Sequence, residues 1–335
     1  QKWIFADETR RDELVTVYNE RFNCLRAPRY SGAALTLPGL SKRFEPHPYQ
    51  RDAVARIIAE PNVLLDHVVG AGKSGTMFMA AMELRRLGLA RQPWIVVPNH
   101  IIEQVGKEAK WWYPSAEILL GAPGTDPEGR RRFVAQSATS DWDMVIVPQS
   151  LFEAIPVGPE VQRDYIEREL EILREALSAT TEDTTPTSVK RLEKALQRYE
   201  TKLNDLTDQA SKDTGLRFEQ TGADYLFVDE AHMFKNRTRL SAVKELACPN
   251  GSERADDLAM KMDMLRQRRR EEALAVGRQP TAADERVATF ATGTPVANSL
   301  GEMYVMQRYL RPDLLDDAGV FHLNDWGAAF TSTVN

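Results

Sequence analysis

Six short apolar runs divide the chain: NVLL (62–65), WIVV (94–97), EILL (117–120), DMVIV (143–147), YLFVD (225–229) and VATFAT (287–292). They are rich in β-branched residues, and several are apolar throughout, the pattern of parallel strands covered on both faces. Helix-forming stretches separate them. KSGTMFMAAMELRRLG (73–88) carries strong helix formers and stops at Gly88, a C-cap residue, and NHIIEQVGKEAKWW (99–112) fits the next helix. Strand alternating with helix predicts a doubly wound, mainly parallel α/β sheet.

The rhythm breaks once. Between Ile155 and Gly222 no strand signal occurs. Ile166, Leu170, Leu173 and Leu177 recur at helical spacing, as do Leu192, Leu196, Tyr199, Leu203 and Leu206, with the polar SATTEDTTPTS (178–188) between them. This predicts two amphipathic helices folded as an antiparallel hairpin and inserted into the sheet domain. The alternative is that both helices pack onto the sheet like the others. Ahead of the first strand, DETRRDELVTVYNERFN (7–23) reads as one helix and SGAALTLPGL (31–40) as a loop or short strands. The expected division is an N-terminal extension (1–45), a first part of the sheet domain (46–154), a helical, coiled-coil-like insertion (155–220) and a second part of the sheet domain (221–335).

Composition narrows the class. The chain has 335 residues, room for one large domain or two ordinary ones. Hydrophobic residues at 42% and charged residues at 27% are ordinary for globular proteins. The net charge of −6 excludes a whole-chain basic field, so nucleic-acid contact needs local patches. Cys24 and Cys248 are far apart with no CxxC pair, which excludes a cysteine-built zinc site and fits a reducing cytoplasm. No apolar run approaches the roughly 18 residues that span a bilayer, and no signal peptide is evident, so no membrane partner is expected. The first residue is Gln1 rather than Met, which suggests a piece of a longer protein.

Four stretches carry chemistry. In NVLLDHVVGAGKSGTM (62–77) an apolar strand breaks into glycines, then Lys73 and Ser74, then a helix. Glycines let backbone N–H groups converge on phosphate at a helix N-terminus, whose dipole is worth roughly half a positive charge. Gly70, Ala71, Gly72 and Gly75 would line the phosphates, Lys73 would reach the β and γ groups, and the Ser74 hydroxyl would bind Mg²⁺. The full pattern wants a glycine six residues before the lysine, where His67 stands. The bland reading is a tight strand-to-helix turn with a surface lysine. YLFVDEAHMF (225–234) ends a strand on Asp229 and Glu230. Adjacent carboxylates there suit an aspartate holding Mg²⁺ and a glutamate polarising the attacking water. FATGTPVANSLGEMY (290–304) puts Thr292, Gly293 and Thr294 at the last strand end, where hydroxyls can sense the γ-phosphate. In HPYQRDAV (47–54), the Gln50 amide offers a donor and an acceptor to adenine N7 and N6.

Together these residues resemble the first RecA-like lobe of a superfamily 2 helicase. Gln50 matches the adenine-reading element, GAGKS motif I, VVPNHIIEQ motif Ia, DEAH motif II and ATGTP motif III, in the right order. DEAHMFKN and TGTPVANSLGEMY look like the Swi/Snf-type branch, although that branch has Asp-Glu-x-Gly-x-Gly-Lys-Thr where this chain has His67-Val68-Val69-Gly70-Ala71-Gly72-Lys73-Ser74. Nearly the whole chain is similar to the helicase part of very large phage and mobile-element proteins linked to DNA modification or antirestriction, which often add an adenine methyltransferase. No [DN]PP[YF] motif occurs here, so any methyltransferase domain would lie outside these residues.

The resemblance implies an ATP-dependent DNA translocase or helicase motor in the cytoplasm, with ATP and Mg²⁺ as cofactors. Lys73, Asp229 and Glu230 would be catalytic, Ser74 and Asp229 metal-binding, and His232, Thr292, Gly293 and Thr294 would couple nucleotide state to DNA grip. Pro98, Asn99 and His100 of motif Ia, with Lys235 and Asn236 after motif II, are candidate DNA contacts, and duplex DNA is favoured over single strands. The second RecA-like lobe, with its arginine finger, is absent, so this lobe alone is expected to hydrolyse slowly; such a finger is worth about 10³ to 10⁵ in rate. The basic runs GRRRF (129–133) and RQRRR (266–270) read as phosphate contacts or as solvated helix faces, and Trp111 and Trp112 as core or as base-stacking groups. Other readings are a small-molecule kinase, which the DEAH–TGTP pair argues against, an RNA helicase, and a nucleotide-gated interaction module docking through the hairpin.

Overall fold

Each of the six apolar runs forms a strand in the computed structural model, which describes residues 7–19, 28–178, 186–209, 216–237 and 251–330. The strands are β1 (Val63–Asp66), β2 (Pro93–Val97), β3 (Ile118–Leu120), β4 (Met144–Pro148), β5 (Tyr225–Asp229) and β6 (Ala288–Thr292). They form one sheet in the order β1-β6-β5-β2-β4-β3, and every pairing is parallel. The chain divides into two units, Gln1–Ser31 and Gly32–Asn335. In the first, helix α1 (Glu8–Tyr18) starts at Asp7, whose carboxylate accepts the Arg10 N–H at 3.2 Å, and buries no residue. The rest of the expected N-terminal helix, from residue 20, lies outside the described residues, as do Cys24 and Cys248.

In the second unit, strand alternation sorts side chains into two cores. Ile95 and Val97 of β2, Met144 and Ile146 of β4, and Tyr225 and Phe227 of β5 face one side. Helices α2 (Pro48–Ala59), α3 (Lys73–Arg86) and α4 (Ile102–Trp112) cover it through Val54, Phe78 and Val105, among others. Trp94, Val96, Val145, Val147, Leu226 and Val228 face the other side. Helices α5 (Pro127–Thr139), α6 (Gln149–Ala154), α7 (Pro159–Ser178), α8 (Pro186–Gln209), α9 (Glu253–Ala275) and α10 (Gly301–Leu310) belong to that layer. Each large apolar side chain fully buried this way is worth about 1.5–3 kcal/mol. The result is the expected doubly wound α/β sheet, here all parallel, with a helical hairpin. Helices α11 (Pro312–Asp317) and α12 (Leu323–Phe330) add a small cluster around Leu315, Leu323 and Trp326.

The hairpin is tied to the core. Tyr165, Ile166, Leu170 and Leu173 of α7 and Ala195 and Tyr199 of α8 belong to the same apolar cluster as Trp94 and Phe290 of the sheet. Its stripe is therefore occupied from within, and the reading that both helices pack with the sheet layer describes it better than a free docking arm.

Helix α9 buries Leu258, Ala259, Met262 and Leu265 at helical spacing, but charged residues share that face. Asp256, Lys261 and Arg266 lie among its buried residues. Lys261 is fully buried, paired with Asp257 at 2.7 Å, and its ammonium sits 4.1 Å from the Phe152 ring centroid. Residues 31–40, expected as a loop or short strands, contain turns and no strand. Among the described residues no helix is long and apolar enough to cross a membrane.

Candidate active site

Strands β1 and β5 both flank β6, with Asp66 opposite Thr292 and Asp229 opposite Ala291. Three loops thus leave the carboxyl ends of three neighbouring strands, the place where open parallel sheets bind ligands.

The loop after β1 turns through Gly70 (φ +86°) and Gly72 (φ +71°) into helix α3. The N–H groups of Lys73, Ser74 and Gly75 precede the helix's first turn bond, Thr76 N–H to Gly72 O at 3.1 Å, so they project from the N-terminus. A Cβ on Gly72 would lie 2.5 Å from Gln50 Nε2, and one on Gly75 2.4 Å from the Trp112 ring. Lys73 Nζ donates to His67 O at 3.2 Å, closing the loop on its own side chain. His67 is half-buried with no hydrogen-bond partner for Nδ1. Burial, then the Lys73 charge, lowers its pKa below the ordinary imidazole value. It fills the missing glycine's position by placing its ring edge-on to Tyr49, centroids 5.9 Å apart.

Gln50, expected to read adenine, is engaged elsewhere. Its Nε2 donates to Gly72 O at 3.2 Å and its Oε1 accepts the His47 N–H at 2.9 Å, so the amide braces the glycine loop after β1. Tyr49 braces the same turn, donating to Ala71 O at 3.0 Å.

Asp229 is 5% exposed, and its Oδ1 accepts the Glu230 N–H at 3.0 Å. Burial first, with the Glu230 charge, pushes its carboxyl up to about 6, against the pull of the Glu230 N–H and Lys73. Glu230 is one of two non-glycine residues with positive φ (+50°) among the described residues. His232 Nδ1 stands 3.1 Å from Glu230 Oε2 and 3.1 Å from Thr292 Oγ1. Thr292 Oγ1 also accepts the Thr294 N–H at 3.1 Å. A Cβ on Gly293 would meet His67 O at 3.3 Å, so the third loop touches the first.

Among the described residues no group of three or more His, Cys, Asp or Glu side chains could hold a metal ion. The donors present, one buried carboxylate and the Ser74 hydroxyl, fit an ion such as Mg²⁺ that shares its shell with phosphate oxygens and water.

The outer candidates are scattered by burial. Pro98 is buried, while Asn99 and His100 are exposed. Lys235, expected beside a groove, is buried on Glu302; Asn236, next to it, is exposed. The run 266–270 is neither a phosphate strip nor a solvated face. Arg266 donates to Tyr309 O, Arg268 to Ala223 O at 3.1 Å, Arg269 to Leu89 O at 3.0 Å, and Arg270 pairs with Glu285. In the run 129–133, Arg131 and Arg132 are exposed and Arg130 donates to Thr125 O. Trp112 stacks on Phe44 at 4.7 Å beneath the phosphate loop, whereas Trp111 is 63% exposed.

Two residues escaped sequence reasoning. Gln149 is buried with Nε2 3.5 Å from Asp229 O, and the Ser150 N–H donates to Asn99 Oδ1 at 3.1 Å. A signal existed: VVPNH and VIVPQS are both strands ending in Val-Pro before an amide residue.

A family model described as "Probable helicase domain" matches residues 57–335. The Defense against restriction protein B of Escherichia phage P1 is 24% identical over 381 aligned residues, covering 99% of this chain. The chain spans only 16% of that relative's length. A solved Sulfolobus solfataricus SWI2/SNF2 ATPase core in complex with dsDNA aligns with 86% of this chain and 40% of its own, at 11% identity and a TM-score of 0.42.

Proposed function

That the chain belongs to the "Probable helicase domain" family is the premise from which we propose that it is the first lobe of an ATP-driven DNA translocase. The observation that carries this is the meeting of Lys73, Asp229, Glu230 and Thr292 at the ends of three adjacent parallel strands, with His232 joining Glu230 to Thr292.

In this reading the N–H groups of residues 73–75 and the Lys73 ammonium hold the phosphates of ATP. Lys73 must first leave the His67 carbonyl. Ser74 and Asp229 hold Mg²⁺, which neutralises phosphate charge when bound. Glu230 takes the proton of the attacking water at its carboxylate, and the His232–Glu230 contact keeps that carboxylate turned toward Thr292 until nucleotide competes for it. Gln50 and Tyr49 set the shape of the phosphate loop. Asn99, His100, Ser150 and Asn236 lie on or beside loops at this sheet edge and offer polar groups to a nucleic-acid backbone, contacts that position without reading sequence.

The Swi/Snf-like motifs favour movement on duplex DNA, in the cytoplasm. A second lobe outside these residues is proposed to bring the arginine finger, which leaves this lobe alone a slow hydrolase. The antirestriction name of the phage relative makes a role in DNA modification or defence the context we propose, within a larger polypeptide.

The test is ATP hydrolysis by the intact protein without polymer and with duplex DNA, single-stranded DNA or RNA, using Glu230→Gln as control. Stimulation by duplex DNA, lost in the variant, is expected. Stimulation by RNA alone would move the reading to an RNA helicase, and none by any polymer would overturn the motor.

A further inference from the structure

The segment that leaves Asp229 and Glu230 is gripped from two directions. Tyr309 of α10 places its hydroxyl between Ala255 O, at 2.7 Å, and Phe234 O, at 3.2 Å, and Lys235 reaches Glu302 of the same helix at 3.1 Å. Arg237 goes the other way, onto the helical hairpin. Its Nη2 donates to the Glu169 carboxylate, its Nε donates to Tyr165 Oη at 3.2 Å, and its guanidinium lies 5.4 Å from the Tyr165 ring centroid. Both partners are on α7. Tyr165 is 2% exposed and its hydroxyl stands 3.5 Å from Asp256 Oδ1 at the start of α9.

An ion pair in which both side chains keep less than a fifth of their surface exposed is a poor source of stability. Desolvating both charges offsets most of their attraction, and apolar side chains of similar volume serve the fold as well. What the pair adds is direction. A planar guanidinium bonded to both a carboxylate and a phenol fixes the position of the chain that carries it. Here that chain is the exit of the carboxylate loop, which begins with the left-handed Glu230. A loop entered through a strained residue keeps its shape only if the far end is held.

We infer that Arg237, with Glu169 and Tyr165, is a positioning residue for Asp229 and Glu230. The hairpin holds the carboxylates at their working angle through it. This gives the insertion a part in the chemistry, and it rests on the ATPase reading above.

The test uses the intact protein and four variants: Arg237→Lys, Glu169→Gln, Tyr165→Phe and the double Arg237→Lys/Glu169→Gln. Turnover, KM for ATP and thermal midpoint are measured for each. We expect kcat to fall about 10- to 100-fold in Arg237→Lys, as for a misplaced catalytic group. KM should stay within about twofold, because phosphate binding is untouched. The double variant should be no slower than the worse single, because one linkage is broken either way. Unchanged kcat in folded variants, losses that multiply in the double, or losses that appear in KM alone would overturn the inference.

Amide hydrogen exchange gives a second readout that needs no turnover. Exchange at residues 230–234 should rise at least tenfold in Arg237→Lys while residues 63–66 of β1 stay as in the parent, a local opening rather than a global one. Equal exchange at both places would also overturn the inference. If the parent itself hydrolyses no ATP, the functional proposal fails, and the exchange pattern still decides whether Arg237 holds this loop.

Discussion

Lys235 Nζ stands 3.1 Å from Glu302 Oε2, and the two side chains are only 9% and 2% exposed. The same carboxylate oxygen accepts the N–H groups of Ala297 and Asn298, at 2.7 and 3.2 Å. One buried pair therefore fastens the segment after DEAH to the segment after TGTP. Removing the carboxylate in Glu302→Ala takes an anionic partner from a buried ammonium and an acceptor from two N–H groups, and should cost about 3 kcal/mol in denaturant unfolding. Glu302→Gln keeps an acceptor oxygen and should cost less.

Acid should weaken the same link. Burial alone would raise the Glu302 pKa, but the Ala297 and Asn298 N–H groups and Lys235 together outweigh it and hold it below the usual value. The folded pKa lies below the unfolded one, so the stabilisation is complete at neutral pH, above an unfolded value of about 4.3, and disappears as pH falls through the folded pKa. The stability gap between the parent and Glu302→Gln should therefore close below about pH 4.

Asp229 titrates with the opposite sign. Its folded pKa of about 6 lies above the unfolded value. The buried charge thus costs stability above the folded pKa and nothing below the unfolded one. Without nucleotide or Mg²⁺, Asp229→Asn should be more stable than the parent by up to about 3 kcal/mol at pH 8, with the gain gone near pH 4. Calorimetry at the two pH values checks the sign. Titration of Mg²⁺ with nucleotide should show the same variant losing metal-dependent binding.

The phosphate loop makes a prediction about two glycines. Both Gly70 and Gly72 have positive φ, but a Cβ on Gly70 meets nothing within 4 Å, while one on Gly72 would sit 2.5 Å from Gln50 Nε2. Gly70→Ala carries backbone strain alone, about 1 kcal/mol. Gly72→Ala must also push out the Gln50 brace, so nucleotide affinity measured by fluorescence titration should fall further in Gly72→Ala.

The arginines of 266–270 should behave as parts of the fold. Arg269→Ala leaves Leu89 O and Asp224 O without their donor. It should lower the thermal midpoint while the salt dependence of DNA binding keeps its slope. A phosphate contact would lower that slope by about one.

Much of this molecule was legible along the chain. Short continuous apolar runs announced every strand, and four of them, β2, β4, β5 and β6, are buried at every position, so few polar residues interrupt the signal. The glycine turn after β1, the DEAH carboxylates and the TGTP turn stood out for a related reason: each is a set of particular residues at consecutive positions, so a short window contains the whole pattern.

Only the tertiary structure decided the rest, because it depends on which distant group a polar side chain meets. A lysine reads as exposed until Glu302 is placed 3.1 Å from Lys235. The amide of Gln50 reads as a base-reading group until the carbonyls of the phosphate loop take it up. Helix α9 hid its inward face because Asp256, Lys261 and Arg266 lie on it, and each also meets a group on another element, Tyr165 Oη, Phe152 O and Tyr309 O respectively. Hydropathy records what a side chain would do in water; burial with a partner cancels that preference, and the partner is known only once the chain has folded.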